Sequence, residues 1–205
     1  MHPLVAVVGH NEADVYGCWS AEHLRARMPF ERELAQRVIG DLGGRYAMVS
    51  FAVGNPDILS HDVERVWRNE YLPWVNALAT TERLLLDYHS YYPHAAGLEQ
   101  IARTRAYFDE HTPWHTNRWH WFYEVGTDTR VKTISSETGL DEYGRGGFNT
   151  GVFHLVRPWA EYFRIVTDAP LRNGAPSPFL FGTVFCVADD RWRGYDVRAA
   201  WRELL

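Results

Sequence analysis

Lysine is almost absent from this chain of 205 residues: Lys132 is the single one, and arginine supplies the other basic side chains. The basic residues are scattered along the sequence, and the formal net charge is −5. A nucleic-acid-binding surface needs basic side chains clustered on one face or along one helix. The sequence therefore predicts no nucleic-acid partner.

Cysteines and long apolar runs are scarce as well. Cys18 and Cys186 are the two cysteines, and two lone thiols give neither a disulfide framework nor the paired spacing of a zinc site. No apolar run reaches the roughly 18 residues that a membrane helix needs, so we expect a soluble chain without a membrane partner. Met1-His2-Pro3 leads directly into a strand-like run, so no signal peptide is predicted and the compartment stays open.

Aromatic residues, in contrast, are abundant. They make up 15% of the chain, with 9 Trp and 11 Tyr. Aromatic faces serve as platforms for sugar rings, but aromatic side chains are first of all core and anchor residues. The composition is compatible with a carbohydrate ligand without requiring one.

Five apolar runs of strand length alternate with segments of helical spacing. The strand-like runs span residues 4–9, 46–54, 83–89, 131–135 and 179–188, and the helical segments span 21–42, 63–79, 98–110, 114–125 and 153–168. Near-continuous apolar strands are typical of a parallel sheet that is buried on both faces. The pattern predicts a single α/β domain over residues 1–205, with five parallel strands alternating with helices. Residues 139–150 are glycine-rich and are predicted to form a loop without a phosphate-binding motif.

Carboxylates follow two of the predicted strands. Glu12 comes soon after the first run, and Glu137 comes two residues after the fourth. Because the carboxyl ends of parallel strands meet at one edge, the two side chains can converge on one substrate bond. One acid/base and one nucleophilic carboxylate are what a retaining glycosidase needs. At the end of the third run, Asp87, His89 and Tyr91 share one face of a strand, either in a binding site or in a satisfied structural network.

The order of these motifs resembles the second half of clan A glycoside hydrolases, the retaining (β/α)8-barrel group that includes cellulase-like enzymes. Asn11-Glu12 is similar to that group's acid/base pair after strand four, although Ala13 stands where the group usually has Pro. Ser136-Glu137-Thr138-Gly139 is similar to the nucleophile motif that ends strand seven. Residues 88–91 fit strand six, Trp192 fits strand eight, and residues 51–56 resemble strand five of bacterial and phage members.

The resemblance implies a partial (β/α)8 TIM barrel. The chain would cover strands four to eight and lack the first three β/α units, since a complete barrel has eight strands in about 250 residues. It implies a bacterial or phage origin and a partner in the form of a missing barrel half, or self-association through exposed sheet edges.

The resemblance also implies a mechanism. Glu137 would be the nucleophile and Glu12 the acid/base in the hydrolysis of a carbohydrate substrate, with no metal or other cofactor. Contacts to the substrate or to the nucleophile are implied for four further residues, Asn11, His89, Tyr91 and Trp192. Of these, Asn11 would bind the sugar 2-hydroxyl and Trp192 would stack against the ring.

Two other classes remain open at this point. A metal-dependent hydrolase on the same fold would draw its ligands from the set His10, Glu12, His89, His94 and Asp189, but no two histidines of this set have the spacing of a single-strand or single-helix metal site. The chain is otherwise a non-catalytic barrel fragment or a carbohydrate-binding remnant that needs another chain, because a five-stranded piece of barrel exposes two sheet edges.

Overall fold

The computed structural model describes residues 6–9, 20–51, 60–93, 119–141, 171 and 174–184, and the structural statements below concern these residues. Within them, no helix is both long enough and apolar enough to cross a lipid bilayer.

The described strands form one parallel sheet whose spatial order follows the order along the chain. The strands are β1 (Ala6–Val8), β2 (Arg45–Phe51), β3 (Leu84–Tyr88), β4 (Ser90–Pro93), β5 (Lys132–Asp141) and β6 (Phe179–Val184). Neighbours pair as β1–β2, β2–β3, β3–β5 and β5–β6. Strand β4 continues β3 after a single residue, His89, and pairs with the second half of β5. The sheet thus has five strand positions, which confirms the predicted α/β class and places a strand at each of the five strand-like runs.

The prediction of a loop at residues 139–150 was wrong for residues 139–141, and residues 142–150 lie outside the described residues. Strand β5 runs on to Asp141, and its last residues pair with β4 from Ser90↔Thr138 to Pro93↔Asp141. Glycine is a weak strand residue. Here the backbone of β4 pairs with residues 138–141, and this pairing outweighs the low strand preference of Gly139.

The described helices lie within or beside the segments whose apolar spacing predicts them. Helix α1 (Ala21–Ala35) starts at Ser20, whose Oγ accepts from the His23 backbone N–H, and continues as a π-helical segment, π1 (Gln36–Asp41). The second predicted helix is divided into α2 (His61–Val66), a π-helical segment π2 (Trp67–Tyr71) and α3 (Leu72–Ala79). Pro73 lies in the first turn of α3, where a missing backbone N–H is tolerated.

One further described helix, α4 (Trp119–Glu124), falls inside the predicted segment 114–125. The predicted helices at 98–110 and 153–168 lie outside the described residues.

The two faces of the sheet bury different residues. Alternate side chains of β2 and β3 pack with the helices in a large aromatic core, where Trp67 stacks on Tyr71 at 4.7 Å and meets Phe122 at 4.6 Å between ring centroids. The other face carries a small apolar layer with one residue from each of four adjacent strands: Ala6, Ala47, Leu85 and Ile134. Ala47, Leu85 and Ile134 are at most 2% exposed, so this second face is also buried.

A buried ion pair within α1 is hydrogen-bonded to β2. The Glu31 carboxylate is fully buried, 2.5 Å from Arg27 Nη2, and it also accepts a hydrogen bond of 2.5 Å from the Tyr46 hydroxyl. The Tyr71 hydroxyl donates to the Leu24 carbonyl on the same helix. These polar contacts fix the position of α1 against its neighbours. Each one also satisfies a polar group that would otherwise be costly to bury.

Candidate functional site at the carboxyl ends of the strands

A buried polar cluster lies where β2, β3 and β5 approach their carboxyl ends. At its centre is the Asp87 carboxylate, which is fully buried. Asp87 Oδ2 accepts from the Ser50 hydroxyl at 2.5 Å and from the Ser136 hydroxyl at 2.6 Å. Asp87 Oδ1 accepts from the Ser136 backbone N–H at 2.8 Å. The two flanking strands therefore direct donors at one carboxylate on β3, which satisfies a group that is otherwise expensive to bury.

Two β-bulges flank Asp87 and create this arrangement. In β2, Met48 pairs with Leu86 and Phe51 with Tyr88, so Val49 and Ser50 together lie opposite Asp87 alone. Bulges leave a residue without a partner in the ladder, re-aim side chains and are common next to active sites.

The second bulge lies in β5. Ile134 pairs with Asp87, and Thr138 pairs with Ser90, so residues 135–137 lie opposite the two residues 88–89. Pairing with β6 shows a register shift in the same place, between Ser135 and Thr138. The extra residue therefore belongs to β5 itself, and it is accommodated directly beside the Asp87 carboxylate.

The backbone of the β2 bulge is strained. Val49 has φ +73° and Ser50 has φ +37°, in the left-handed region that β-branched residues rarely adopt. Backbone of this kind costs on the order of 1–3 kcal/mol per residue and persists where surrounding contacts impose it. Here the imposing contacts are the Ser50–Asp87 hydrogen bond and the complete burial of both residues.

His89 extends the cluster toward β4. Its side chain is fully buried, and its backbone N–H donates to the Phe51 carbonyl at 2.9 Å. His89 Nε2 lies 3.1 Å from Ser136 Oγ, the same oxygen whose proton goes to Asp87. The imidazole, the serine hydroxyl and the carboxylate thus form a continuous chain.

The cluster lies on the face of the sheet that is opposite the aromatic core. Leu84, Leu86 and Tyr88 belong to that core, so by strand alternation Asp87 shares a face with Leu85 of the small apolar layer. Along β3, Asp87 comes two residues after Leu85. The second face thus changes from apolar to polar toward the carboxyl ends of the strands.

The predicted site residues are described to different extents. His89 is placed in the cluster with its side chain. Glu137 lies in β5 directly after Ser136, and Tyr91 lies in β4 paired with Gly139, and for these two the backbone alone is described. Asn11, Glu12 and Trp192 lie outside the described residues. The separation of the Glu12 and Glu137 carboxyl groups stays a prediction.

Two members of the cluster, Ser50 and Ser136, were missed as site residues in the sequence. A signal was present, since each serine stands near the end of a predicted strand that borders the strand of Asp87. The register that brings both hydroxyls to one carboxylate depends on the two bulges, and neither bulge has a glycine to mark it.

A separate open groove lies beside the starts of β2 and β3, at the opposite end of these strands. Its volume is about 620 Å³, and it is lined by Gln36, Ile39, Gly40, Leu78, Thr81 and Arg83. The lining holds one cation and no carboxylate, so this groove cannot supply paired acid/base chemistry. In the described part of the chain, no three His, Cys, Asp or Glu side chains are grouped so as to hold a metal ion.

Comparison of the chain with protein-family models, with curated proteins and with solved structures returns no match. A function has to be inferred from the site and the sequence motifs themselves.

Proposed function

We propose that this chain is a retaining β-glycoside hydrolase that acts on an oligo- or polysaccharide, with Glu137 as nucleophile and Glu12 as acid/base. The observation that carries the proposal is the β5 bulge at residues 135–137, held against Asp87 at the carboxyl end of a parallel sheet. In a regular strand, two consecutive side chains point to opposite faces. A bulge re-aims one of them, so Glu137 need not alternate strictly with Ser136.

The order of the strands supports the barrel that this activity implies. Each strand position pairs with the one before it along the chain, as in successive units of a (β/α)8 barrel. A doubly wound sheet instead reverses its strand order at a switch point. On this proposal the five strand positions correspond to strands four to eight, and the small apolar layer of Ala6, Ala47, Leu85 and Ile134 forms part of the barrel interior.

The proposed reaction proceeds by double displacement. The Glu137 carboxylate attacks the anomeric carbon while the Glu12 carboxyl group gives its proton to the departing glycosidic oxygen, and that carbon–oxygen bond breaks. Glu12, now ionised, takes a proton from water, whose oxygen attacks the anomeric carbon and displaces Glu137. This requires carboxyl groups about 5 Å apart. Asn11, Tyr91 and Trp192 keep the substrate-binding roles that the resemblance implies.

The test is to trap the covalent intermediate. Incubation with aryl 2-deoxy-2-fluoro-β-glycosides of several sugars, followed by peptide mass spectrometry, should find one fluoroglycosyl group on Glu137. Glu137→Gln should abolish labelling, and Glu33→Gln, which changes an exposed carboxylate on α1, should leave it intact. Labelling of another residue, or hydrolysis of aryl glycosides that Glu137→Gln does not reduce, would contradict the assignment.

A second candidate is a chain that binds carbohydrate or acts only with further strands. In the described part of the chain, β1 pairs with β2 alone and β6 with β5 alone, and a barrel needs strands beyond both. The same panel of sugars distinguishes the two candidates: binding by calorimetry without trapping or turnover would favour the second.

A further inference from the structure

We infer that Asp87 is a positioning residue that sets the direction of the hydrogen-bond chain from His89 to Ser136, and thereby the ring nitrogen on which His89 carries its proton. The role of this chain in orienting Glu137 rests on the proposed function. The direction of the chain does not, because it follows from the hydrogen bonds that join Asp87, Ser136 and His89.

The direction follows from the number of protons available. A carboxylate only accepts hydrogen bonds, and a serine hydroxyl has one proton to give. The Ser136 proton is directed to Asp87 Oδ2 at 2.6 Å, so Ser136 Oγ meets His89 with a lone pair. The 3.1 Å contact then requires a proton on His89 Nε2. The chain runs from His89 Nε2–H to Ser136 O–H to Asp87.

This direction excludes one reaction and supports another role. Because the Ser136 proton faces Asp87, His89 is not arranged as a base that would activate Ser136 as a nucleophile. Asp87 instead holds both the N–H and the hydroxyl of Ser136, at the residue before Glu137. Under the proposed function, the carboxylate fixes the bulge that carries Glu137, and His89 supports this bulge from the side of β4.

Asp87→Asn tests the inference with little change in shape. The oxygen of the introduced amide would still accept from the Ser136 N–H, and the two protons of its nitrogen would face Ser50 Oγ and Ser136 Oγ. All three hydrogen bonds are kept, but in the two with serine hydroxyls the donor and the acceptor exchange roles. The Ser136 proton can then point at His89 Nε2, which accepts it when the ring proton moves to Nδ1.

The measurement is nitrogen-15 NMR of the histidine rings in the full chain, at a pH where the His89 ring is neutral, with His89 assigned by the loss of its signals in His89→Gln. We expect a protonated Nε2 in the wild type and in Ser50→Ala, which removes one donor to Asp87 without touching Ser136. We expect a protonated Nδ1 in Asp87→Asn. A folded Asp87→Asn variant in which His89 still carries its proton on Nε2 would overturn the inference. A wild-type His89 ring protonated at Nδ1 alone would overturn it as well, and this wild-type measurement does not depend on whether the variant folds.

The kinetic result separates the two proposals. If the chain hydrolyses aryl β-glycosides, Asp87→Asn should lower kcat on the order of 100-fold with a smaller change in KM, because a small displacement of the nucleophile affects the chemical step. A wild type without activity but with the expected switch of the His89 proton would retain the Asp87 inference and refute the glycosidase proposal. An active wild type combined with an Asp87→Asn variant in which the His89 proton stays on Nε2 would retain the glycosidase proposal and refute the Asp87 inference.

Discussion

Gly9, directly after β1, lies against the Tyr46 hydroxyl. A Cβ atom added at Gly9 would be 2.7 Å from Tyr46 Oη, and that hydroxyl is itself held by Glu31 at 2.5 Å. The glycine is therefore required by a close approach. Displacing the phenol would disturb a fully buried carboxylate on α1.

Gly9→Ala should lower the free energy of unfolding by about 1–3 kcal/mol through this overpacking. In a Tyr46→Phe background the nearest remaining ring atom would be 3.5 Å away, an ordinary contact, so the same substitution should cost much less. A double-mutant cycle in urea should give a coupling energy of about 1 kcal/mol or more. Gly40→Ala is the control, because no atom lies within 4 Å of its added Cβ. Additive effects at Gly9 and Tyr46 would show that the phenol moves aside freely.

Two ion pairs of the same sequence spacing should differ strongly in their contribution to stability. In the Arg27–Glu31 pair the carboxylate is fully buried and the guanidinium mostly so. In the Glu33–Arg37 pair both side chains are more than half exposed. Glu31→Ala should lower the free energy of unfolding by roughly 3–5 kcal/mol, because it removes the fully buried carboxylate that pairs with Arg27 and accepts from the Tyr46 hydroxyl. Glu33→Ala should have little effect, since water screens an exposed pair. Urea unfolding of the two variants measures this, and similar losses would contradict it.

Stability should fall in alkaline solution because three buried tyrosines resist ionisation. Burial raises the pKa of Tyr46, Tyr71 and Tyr123, and the nearby Glu31 charge raises the pKa of the first two further. Unfolded tyrosine has a pKa of about 10, so above that pH the unfolded chain releases protons that the folded chain keeps. This contribution to stability is complete below pH 10 and is lost as the pH rises beyond it, by about 1.4 kcal/mol per pH unit for each tyrosine.

The contribution of one tyrosine can be isolated. Tyr71→Phe should reduce the slope of the free energy of unfolding against pH, above pH 10, by the contribution of one tyrosine. The substitution also removes the hydrogen bond to the Leu24 carbonyl, which lowers stability at neutral pH but does not change this slope. Urea unfolding at a series of pH values above 10 measures the slope. An unchanged slope would mean that Tyr71 ionises equally in both states.

Asp87→Ala should be among the most destabilising substitutions in the sheet. It leaves two hydroxyls and one backbone N–H without their buried acceptor, at about 1–3 kcal/mol for each group left unsatisfied. Asp128→Ala offers a comparison, because Asp128 lies near the surface, where Arg130 lowers its pKa and water can replace the contact. Thermal unfolding of both variants should show a much larger loss for Asp87→Ala, and equal losses would mean that the cluster relaxes when its centre is removed.

The general architecture was predictable from the sequence, and the detail of the site was not. Apolar runs indicated the five strand positions because burial of a parallel sheet needs continuous apolar side chains. The bulges were not predictable, because a bulge is defined by the register between two strands and residues 46–51 contain no glycine to indicate one. For the same reason Ser50 and Ser136 did not stand out, and buried Glu31 looked like any charged residue on a helix.

The strand order also affects how the chain can fold. Each strand adds to the edge left by the one before it, and no described strand has to insert between two that are already paired. Formation of the sheet can therefore advance in one direction, with β3 and β5 meeting after β2 is in place. The strained bulge at Val49 and Ser50 has its compensating contact with Asp87 only where β2 pairs with β3, and the pairing of β5 adds Ser136 to the same carboxylate. Asp87 thus couples the docking of β5 to the pairing of β2 with β3, because one carboxylate accepts hydrogen bonds from both flanking strands.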